Sequence, residues 1–431
     1  MLTASSQSGG AGISNDDQRK LYFLAVFASL GSCLPAGILL DRAGPRACFC
    51  VAHTLCGIGL ATFTGGAHTA GVLLLAVGTA GCMCSVMHVS ALFERRRHVI
   101  VALVAGTYQV SLLVFPIIGW IFSSGAADAA SCFAGLAVLG AFNATAGFFV
   151  WPDVPYDAAV TPEDDTAAVR AGVAASDGAM DSCAEVGPEQ PLLEAVDTDA
   201  AENSGSTVVQ APRLVDQLWS PLLWEFNAYT IIITSWAQTF FIGTLRDRLN
   251  DRHFLRRGTV SDCIDVFNVV SPAAALCNPF LGAFLTKHGF TVGVFAVTAV
   301  SLLFCGTLVM RTEGAVLTSI VCNSLCRNFL WTYYYARVAA TFGFANFGIL
   351  TGVTTLLLGL IGLVCDPLAA WAQGTCHEIN FSLDRCDRGH WLFLDWVQLA
   401  SIALVALLHH VLGYRRGKHP ARPAFVAPEG K

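Results

Sequence analysis

The amino-acid sequence predicts an all-α polytopic membrane protein. Of its 431 residues, 54% are hydrophobic and only 13% are charged, whereas a typical soluble domain has about 25% charged residues. The apolar residues fall in runs of about 20, which is the length an α-helix needs to cross the hydrocarbon core of a bilayer. These runs form one group of five and one group of six, so we expect two helical halves.

Apolar runs that contain few charges predict the positions of the spans. A boundary between the second and third spans is marked only by His68 and Thr69. The eleven spans cover residues 21–40, 47–68, 70–92, 99–122, 130–151, 218–243, 263–285, 290–310, 314–336, 347–372 and 390–412.

Charge divides the chain further. Between Pro152 and Pro212 there are thirteen acidic residues and a single base, Arg170, and such an acidic stretch with few aromatics is expected to be disordered. The predicted parts are a polar N-terminal segment (1–20), a first transmembrane half (21–151), an acidic cytosolic loop (152–217), a second transmembrane half (218–413) and a basic cytosolic tail (414–431).

Short loops rich in Lys and Arg predict which side faces the cytosol. The loop at Asp41–Arg46 and the tail lie on one side together with the acidic loop, so that side is predicted to be cytosolic. On the opposite side, Asp262, Asp265 and Asp395 lie near the ends of their spans and are expected to be solvated. We expect a multi-pass protein of the plasma membrane or an endomembrane, with the lipid bilayer and a small-molecule substrate as its partners.

Other functional classes have no support in the sequence. No basic cluster alternates with aromatic residues, so nucleic-acid binding is not expected. No nucleophile–base pair, phosphate-binding loop or metal-ligand cluster indicates an enzyme, and neither a cofactor nor a metal is expected.

One loop carries a specific motif. Residues 37–46 read GILLDRAGPR, and the glycines at its two ends are suited to close helix packing (Gly37) and to a tight turn (Gly44). Asp41 can meet the positive end of a helix in the other half, or an arginine. The candidate gating residues are Gly37, Asp41, Arg42, Gly44 and Arg46.

This loop resembles the signature G-x-L-x-D-R-x-G-x-R of the major facilitator superfamily. A weaker copy follows in the second half, where Gly282 and Gly289 keep the offset of Gly37 and Gly44, with Thr286 in the place of Asp41. Parallel repeats of this kind build the halves of facilitator proteins. The resemblance implies two pseudo-symmetric halves, with the first span equivalent to helix two of twelve and helix one apparently missing.

Further segments resemble solute carrier family 43 and the apicomplexan amino-acid transporters. The resemblance covers about 21–414 without the acidic loop, and it implies a facilitator of large neutral amino acids. At 105–111 the family often has an acidic residue where this chain has Gln109. The matching segments are Glu94–Arg97, Phe240–Thr244, Cys326–Leu330 and Phe342–Gly348.

Candidate substrate-binding residues come from polar stripes inside the spans. Arg327 lies about twelve residues into an apolar run, where a cation is costly unless it faces a cavity or a partner. The full set is Asn323, Arg327, Trp331 and Tyr334 on one helical face, Thr234 and Gln238 in the span at 218–243, Gln109, and Asp366 as a partner or competitor of Arg327. The alternative for the Asn and Thr residues is hydrogen bonding between packed helices.

Two modifications are predicted in the loop before the last span. Cys376 and Cys386 bracket a polar segment and can form a disulfide if that loop is extracytoplasmic. Asn380 begins a glycosylation sequon.

The predicted function is transport of a small solute, an amino acid first, by alternating access. The alternatives are a facilitator for monocarboxylates or other organic anions, and a truncated relative that does not transport.

Overall fold

In a computed structural model, residues 15–93, 96–153, 213–250, 257–310, 312–374 and 388–418 of the chain are described. Every regular element in these ranges is a helix. The helices are α1 (Asn15–Thr64), α2 (His68–Met87), α3 (Arg97–Val110), α4 (Val114–Ser123), α5 (Ala129–Val150), α6 (Leu214–Leu218), α7 (Pro221–Thr234), α8 (Phe241–Asn250), α9 (Arg257–Ala273), α10 (Asn278–Val309), α11 (Glu313–Phe342), α12 (Phe347–Gly362), α13 (Cys365–Gly374) and α14 (Arg388–Lys418).

The predicted helical membrane fold is confirmed. Within the described ranges, seven helical stretches are long and apolar enough to cross a membrane. Two of them, Asp17–Thr64 and Asp262–Val309, are 48 residues long, more than twice the roughly 20 residues that one crossing needs. Each contains two of the predicted spans. The spans at 218–243 and 314–336 lie on helices outside these seven, so the count of eleven crossings stays a prediction.

The two long stretches bend at corresponding glycines. Gly44 has φ 83° and Gly289 has φ 74°, a left-handed backbone conformation that costs glycine little and most other residues more. Gly44 and Gly289 occupy the same position in the two copies of the sequence repeat. The bends therefore fold each stretch into a pair of neighbouring helices in an equivalent place in each half.

The halves approach each other through the first glycine of each repeat. A Cβ on Gly37 of α1 would come within 2.1 Å of the Gly348 carbonyl oxygen on α12, and a Cβ on Gly282 of α10 would come within 2.6 Å of Val99 Cα on α3. Absence of a side chain thus lets two pairs of helices meet at the backbone. The two contacts are related by the pseudo-symmetry of the halves.

A large apolar core is made mainly by α7 to α12 and α14 of the second half, and it includes Met87 of α2 and Val101 and Ala105 of α3. Beside it lies a buried ion pair, in which Arg248 and Asp395 are 2.5 Å apart and both side chains are almost fully enclosed. The guanidinium also lies over the rings of Phe240 and Trp391. The expectation that Asp395 is solvated is wrong, because Arg248, one turn beyond the predicted span, folds back to neutralise it.

Some boundaries differ from the predicted ones. Helix α1 begins at Asn15, so the end of the segment predicted as 1–20 is helical. The last residues of the predicted acidic loop form α6, where the Gln217 amide donates to the Phe342 carbonyl and accepts from the Asn346 amide. Residues 154–212 of that loop and 419–431 of the tail lie outside the described residues. The predicted disulfide of Cys376 and Cys386 and the glycosylation site Asn380 lie outside them too.

Candidate solute-binding cavity

A cavity of about 280 Å³ lies between the two halves. This volume is just below the range of about 300–1,000 Å³ for small-molecule sites. The first half contributes α1, α2, α3 and the turn after α3, and the second half contributes α7 to α9 and α11 to α12. The polar and aromatic lining includes Tyr22, Ser29, Thr79, Tyr108, Gln109, Thr234, Gln238, Thr239, Arg327, Trp331, Tyr335 and Thr355.

Arg327 is the charged residue of this wall. Its side chain is 8% exposed, and in the described part of the chain it forms no ion pair with a carboxylate. The described residues that line the cavity include no Asp or Glu. Elsewhere in those ranges, no group of three His, Cys, Asp or Glu side chains is placed to hold a metal ion. The cavity therefore presents one buried positive charge, which an anionic group of a solute can neutralise.

The predicted pairing of Arg327 with Asp366 is wrong. Asp366 accepts from Nε of Arg19 at 3.1 Å instead, and it does not line the cavity. The reason is a break after α12: Asp366 lies in the first turn of α13, beside the start of α1. Sequence reasoning placed Arg19 in a polar segment outside the membrane helices and so missed this partner.

A π-helical turn, Ser235–Phe240, separates α7 from α8. Such turns are frequent at functional sites, because the extra residue changes which side chains face inward. Here it places Thr234, Gln238 and Thr239 on the cavity wall, as predicted for the first two. No sequence signal marked the turn itself.

The Gln238 amide is oriented by a tryptophan. Trp331 Nε1, which can only donate, gives its hydrogen to Gln238 Oε1 at 2.8 Å. This bond leaves Gln238 Nε2, a donor, without a partner among the described residues. The hydroxyl of Thr234 is likewise buried and unpaired there. Two polar groups next to Arg327's helix are thus left for a ligand.

Gln109 lies on the opposite side of the cavity, in the last turn of α3. Its side chain is 2% exposed, and Oε1 forms no hydrogen bond within the described ranges. The predicted place of Gln109 at the site is consistent with the cavity lining. Tyr22 and Tyr108, which also line the wall, were not singled out from the sequence.

Two candidate residues on α11 do not line the cavity. The Asn323 amide donates to the backbone carbonyl of Ala237 in the π-helical turn, so it joins two helices, as the alternative reading of the Asn residues allowed. Tyr334 is 1% exposed and packs in the core. Tyr335 faces the cavity instead, because it continues the spacing of four residues that runs from Arg327 to Trp331.

At one end of the cavity, the loop motif joins the two halves. The Asp41 carboxylate accepts from the backbone N–H groups of Gly348 at 3.1 Å and Ile349 at 2.8 Å. These groups begin α12, where the helix dipole favours a negative charge. The predicted contact of Asp41 with the positive end of a helix in the other half is therefore present. In the repeat, Thr286 lies 3.4 Å from His98 at the start of α3. We call the end of the cavity where Asp41 contacts the start of α12 the Asp41 end.

The arginines of the motif have different surroundings. Arg46 donates from Nε to the Trp151 carbonyl at 2.6 Å and pairs with Asp153 at 2.6 Å, so it ties the loop to the end of α5. Arg42 is exposed.

At the opposite end, which we call the Arg19 end, the halves are joined through Arg19, which is 8% exposed. Its guanidinium reaches Asp366 at 3.1 Å, Asp247 at 3.3 Å and the Gln373 amide oxygen at 2.6 Å. Arg19 belongs to the first half and its three partners to the second. Along α1 the order is Arg19, then the cavity residues from Tyr22 to Cys33, then Asp41. About 33 Å of helix, at about 1.5 Å per residue, separates the two charged groups, close to the thickness of a bilayer core.

Two halves of membrane helices, related by a repeat and enclosing a cavity, define the major facilitator fold. Human organic anion transporter MFSD10 (TETRAN) has this fold, and it superposes on the chain with a TM-score of 0.58, at 14% identity, over 91% of this chain and 83% of that one. The proton:xylose symporter XylE gives 0.57, at 12% identity, over 92% and 87%. A bacterial homologue of the iron transporter ferroportin gives 0.54, at 11% identity, over 90% and 88%.

Sequence comparison adds one distant relative. Amino acid transporter 6-1 of Toxoplasma gondii is 22% identical over 228 residues, which cover 51% of this chain and 37% of that protein. The match thus spans little more than a third of that relative's length. No family model matches the chain. The predicted major facilitator fold is confirmed.

Proposed function

We propose that this protein carries a small solute with a carboxylate group across a membrane by alternating access. The observation that carries the proposal is Arg327, a buried guanidinium on the wall of a cavity between the halves, with no acidic side chain among the described lining residues. A buried charge without a partner is costly, and a substrate carboxylate removes that cost when it binds.

The geometry of the wall supports a division of roles. The planar guanidinium of Arg327 can hold a carboxylate through two parallel hydrogen bonds, and Gln238 Nε2 offers a further donor. Trp331 and Tyr335, whose rings stack at 5.4 Å, provide a face for an apolar or aromatic substituent. The remaining hydroxyls, from Ser29, Thr79, Thr239 and Thr355, line the wall.

Transport then requires the two ends to open in turn. Opening the Asp41 end separates the Asp41 carboxylate from the start of α12, and opening the opposite end releases Arg19 from Asp247 and Asp366. In the topology predicted from the short loops, the Asp41 end faces the cytosol.

An amino acid is the first candidate substrate. The distant Toxoplasma gondii relative is described as an amino acid transporter, and the segments that resemble solute carrier family 43 point to the same class. An organic anion, such as a monocarboxylate, is the second candidate, because the cavity offers a positive charge and no acidic side chain among its described lining residues.

Counterflow in proteoliposomes tests the proposal. Labelled leucine should exchange against unlabelled leucine. If the second candidate is correct, labelled lactate or pyruvate should exchange instead. Arg327→Lys keeps the charge but loses the paired hydrogen bonds, and should lower exchange about ten-fold or more. Arg337→Lys is the matched control, since Arg337 lies on the same helix over the rings of Phe226 and Phe290, away from the cavity.

Two results would contradict the proposal. One is exchange by Arg327→Lys at the rate of the unaltered protein. The other is binding of a carboxylate without any exchange, which would indicate a relative that does not transport.

A further inference from the structure

The described cavity wall has a charged partner for only one of the two charged groups of an amino acid. Such a solute carries an ammonium group beside its carboxylate, and a buried ammonium needs an acceptor. Arg327 supplies the charge for the carboxylate, while the described lining residues contain no acidic side chain for the ammonium. Among the described lining residues, the available acceptors are therefore neutral groups.

Gln109 meets this requirement with an amide oxygen that no described group occupies. Its side chain is 2% exposed, and its Oε1 makes no hydrogen bond in the described structure. The terminal torsion of a glutamine is broad, and no partner holds this amide in place, so Oε1 can turn toward a solute. Gln238 differs, because Trp331 already occupies its oxygen.

We infer that Gln109 accepts the ammonium group of a zwitterionic solute, and that its neutrality makes the cavity a charge filter against cationic solutes. This inference rests on the proposed function. A solute with zero net charge leaves the wall with the single charge of Arg327. A solute with an extra ammonium adds a second positive charge to a cavity of about 280 Å³, where repulsion between buried charges is far stronger than in water.

Norleucine and lysine form a matched pair of probes, because they have the same straight carbon chain and differ by the terminal ammonium of lysine. Their dissociation constants can be measured from the shift in thermal unfolding of the purified full-length protein. The unaltered protein should bind norleucine about ten-fold or more tightly than lysine. Gln109→Glu adds one negative charge with little change in shape, and should reduce this ratio about ten-fold or more.

Gln109→Leu removes the acceptor and serves as a second variant that does not introduce a charge. It should weaken norleucine binding while leaving binding of the matching 2-oxo acid, which has no ammonium group, within about two-fold. Ser124→Glu is the control for net charge, because Ser124 is exposed at the end of α4. It should leave the norleucine-to-lysine ratio unchanged.

The outcomes separate the inference from the proposed function. Equal binding of lysine and norleucine by the unaltered protein would overturn the charge filter, as would an unchanged ratio in Gln109→Glu. Exchange of leucine, or of the 2-oxo acid, would in that case still support a carboxylate carrier. Failure of every carboxylate to bind or exchange would overturn both.

Discussion

The Arg19 guanidinium and the Asp366 carboxylate, 3.1 Å apart, join the first half of the molecule to the second. Asp247 lies 3.3 Å from the same guanidinium, so one cation faces two anions from the other half. All three are partly shielded from solvent. Further along α1, just before its bend at Gly44, Asp41 makes the corresponding contact with the start of α12. Polar contacts therefore join the two halves at both ends of the cavity.

Arg19→Gln should open the Arg19 end more often, because the cation that links Asp247 and Asp366 to the first half is lost. Cys33, a free thiol on the cavity wall, provides a natural reporter. Its reaction with a small water-soluble maleimide, followed by mass spectrometry of the Cys33 peptide, should be several-fold faster in the variant. Lys20→Gln, which changes the exposed neighbouring base, should react at the original rate. Equal rates in both variants would exclude Arg19 as a latch.

Asp41→Asn should slow turnover more than it weakens binding. The neutral amide loses the attraction to the positive end of α12, worth about 0.3–2 kcal/mol, and it has one acceptor oxygen where the carboxylate has two. Uptake kinetics should show a lower maximal velocity with little change in the half-saturation concentration. Asp153→Asn is the control, since Asp153 is 70% exposed in its pair with Arg46 and such pairs contribute little. An unchanged maximal velocity with a raised half-saturation concentration would contradict the gating role.

Gly37→Ala should impair closure of the Asp41 end. The added Cβ would lie 2.1 Å from the Gly348 carbonyl oxygen, and this is backbone that cannot turn aside. Overpacking of this kind costs about 1–3 kcal/mol, which corresponds to a loss of about five- to 150-fold in the population of the state in which these helices are in contact. Transport should fall, and Cys33 should become more reactive from the Asp41 end. In the control Gly306→Ala, the new methyl group meets no atom within 4 Å, and transport should be retained.

Asp395→Asn should destabilise the second half. It leaves Arg248, which is 3% exposed, as an uncompensated buried charge, at a cost of roughly 3–5 kcal/mol. The temperature of unfolding of the purified protein should fall clearly. Asp128→Asn is the matched control, because Asp128 is an exposed helix cap that accepts from the Ser131 N–H, and Asn caps helices about as well. A double replacement of Arg248 and Asp395 by Met and Leu should recover most of the loss; if the single variant is as stable as the original, the pair has no structural role.

The absence of a contact between Arg327 and Asp366 can be tested with a double variant. Asp366 is held by Arg19, so Arg327→Gln combined with Asp366→Asn should not restore transport to the single variant Arg327→Gln. Surface expression and carboxylate binding of both variants provide the measurement. Recovery of both properties in the double variant would mean that the two residues depend on each other after all.

Much of the fold could be predicted because hydrophobic length and the spacing of glycines are local properties. The repeat of Gly37 and Gly44 by Gly282 and Gly289 predicted two equivalent bends, and the left-handed conformations of Gly44 and Gly289 match it. Arg327, Gln109, Gln238, Thr234 and Trp331 line the cavity, and their role in substrate binding stays a prediction. Asn323 and Tyr334 do not, because a stripe of polar residues along a helix does not reveal where the neighbouring helix touches it.

The sequence by itself determined the class of protein, the two halves and the buried guanidinium, since a hydrocarbon-length apolar run with one cation constrains both the fold and the chemistry. Only the tertiary structure decided the partners. Contacts between segments far apart in the chain decide that Gln238 lies on the cavity wall and that Tyr335, not Tyr334, faces the cavity. They also pair Asp366 with Arg19 and Asp395 with Arg248. The spacing of residues along one helix does not indicate such contacts, because the rotation of each helix is fixed by the helices that pack against it.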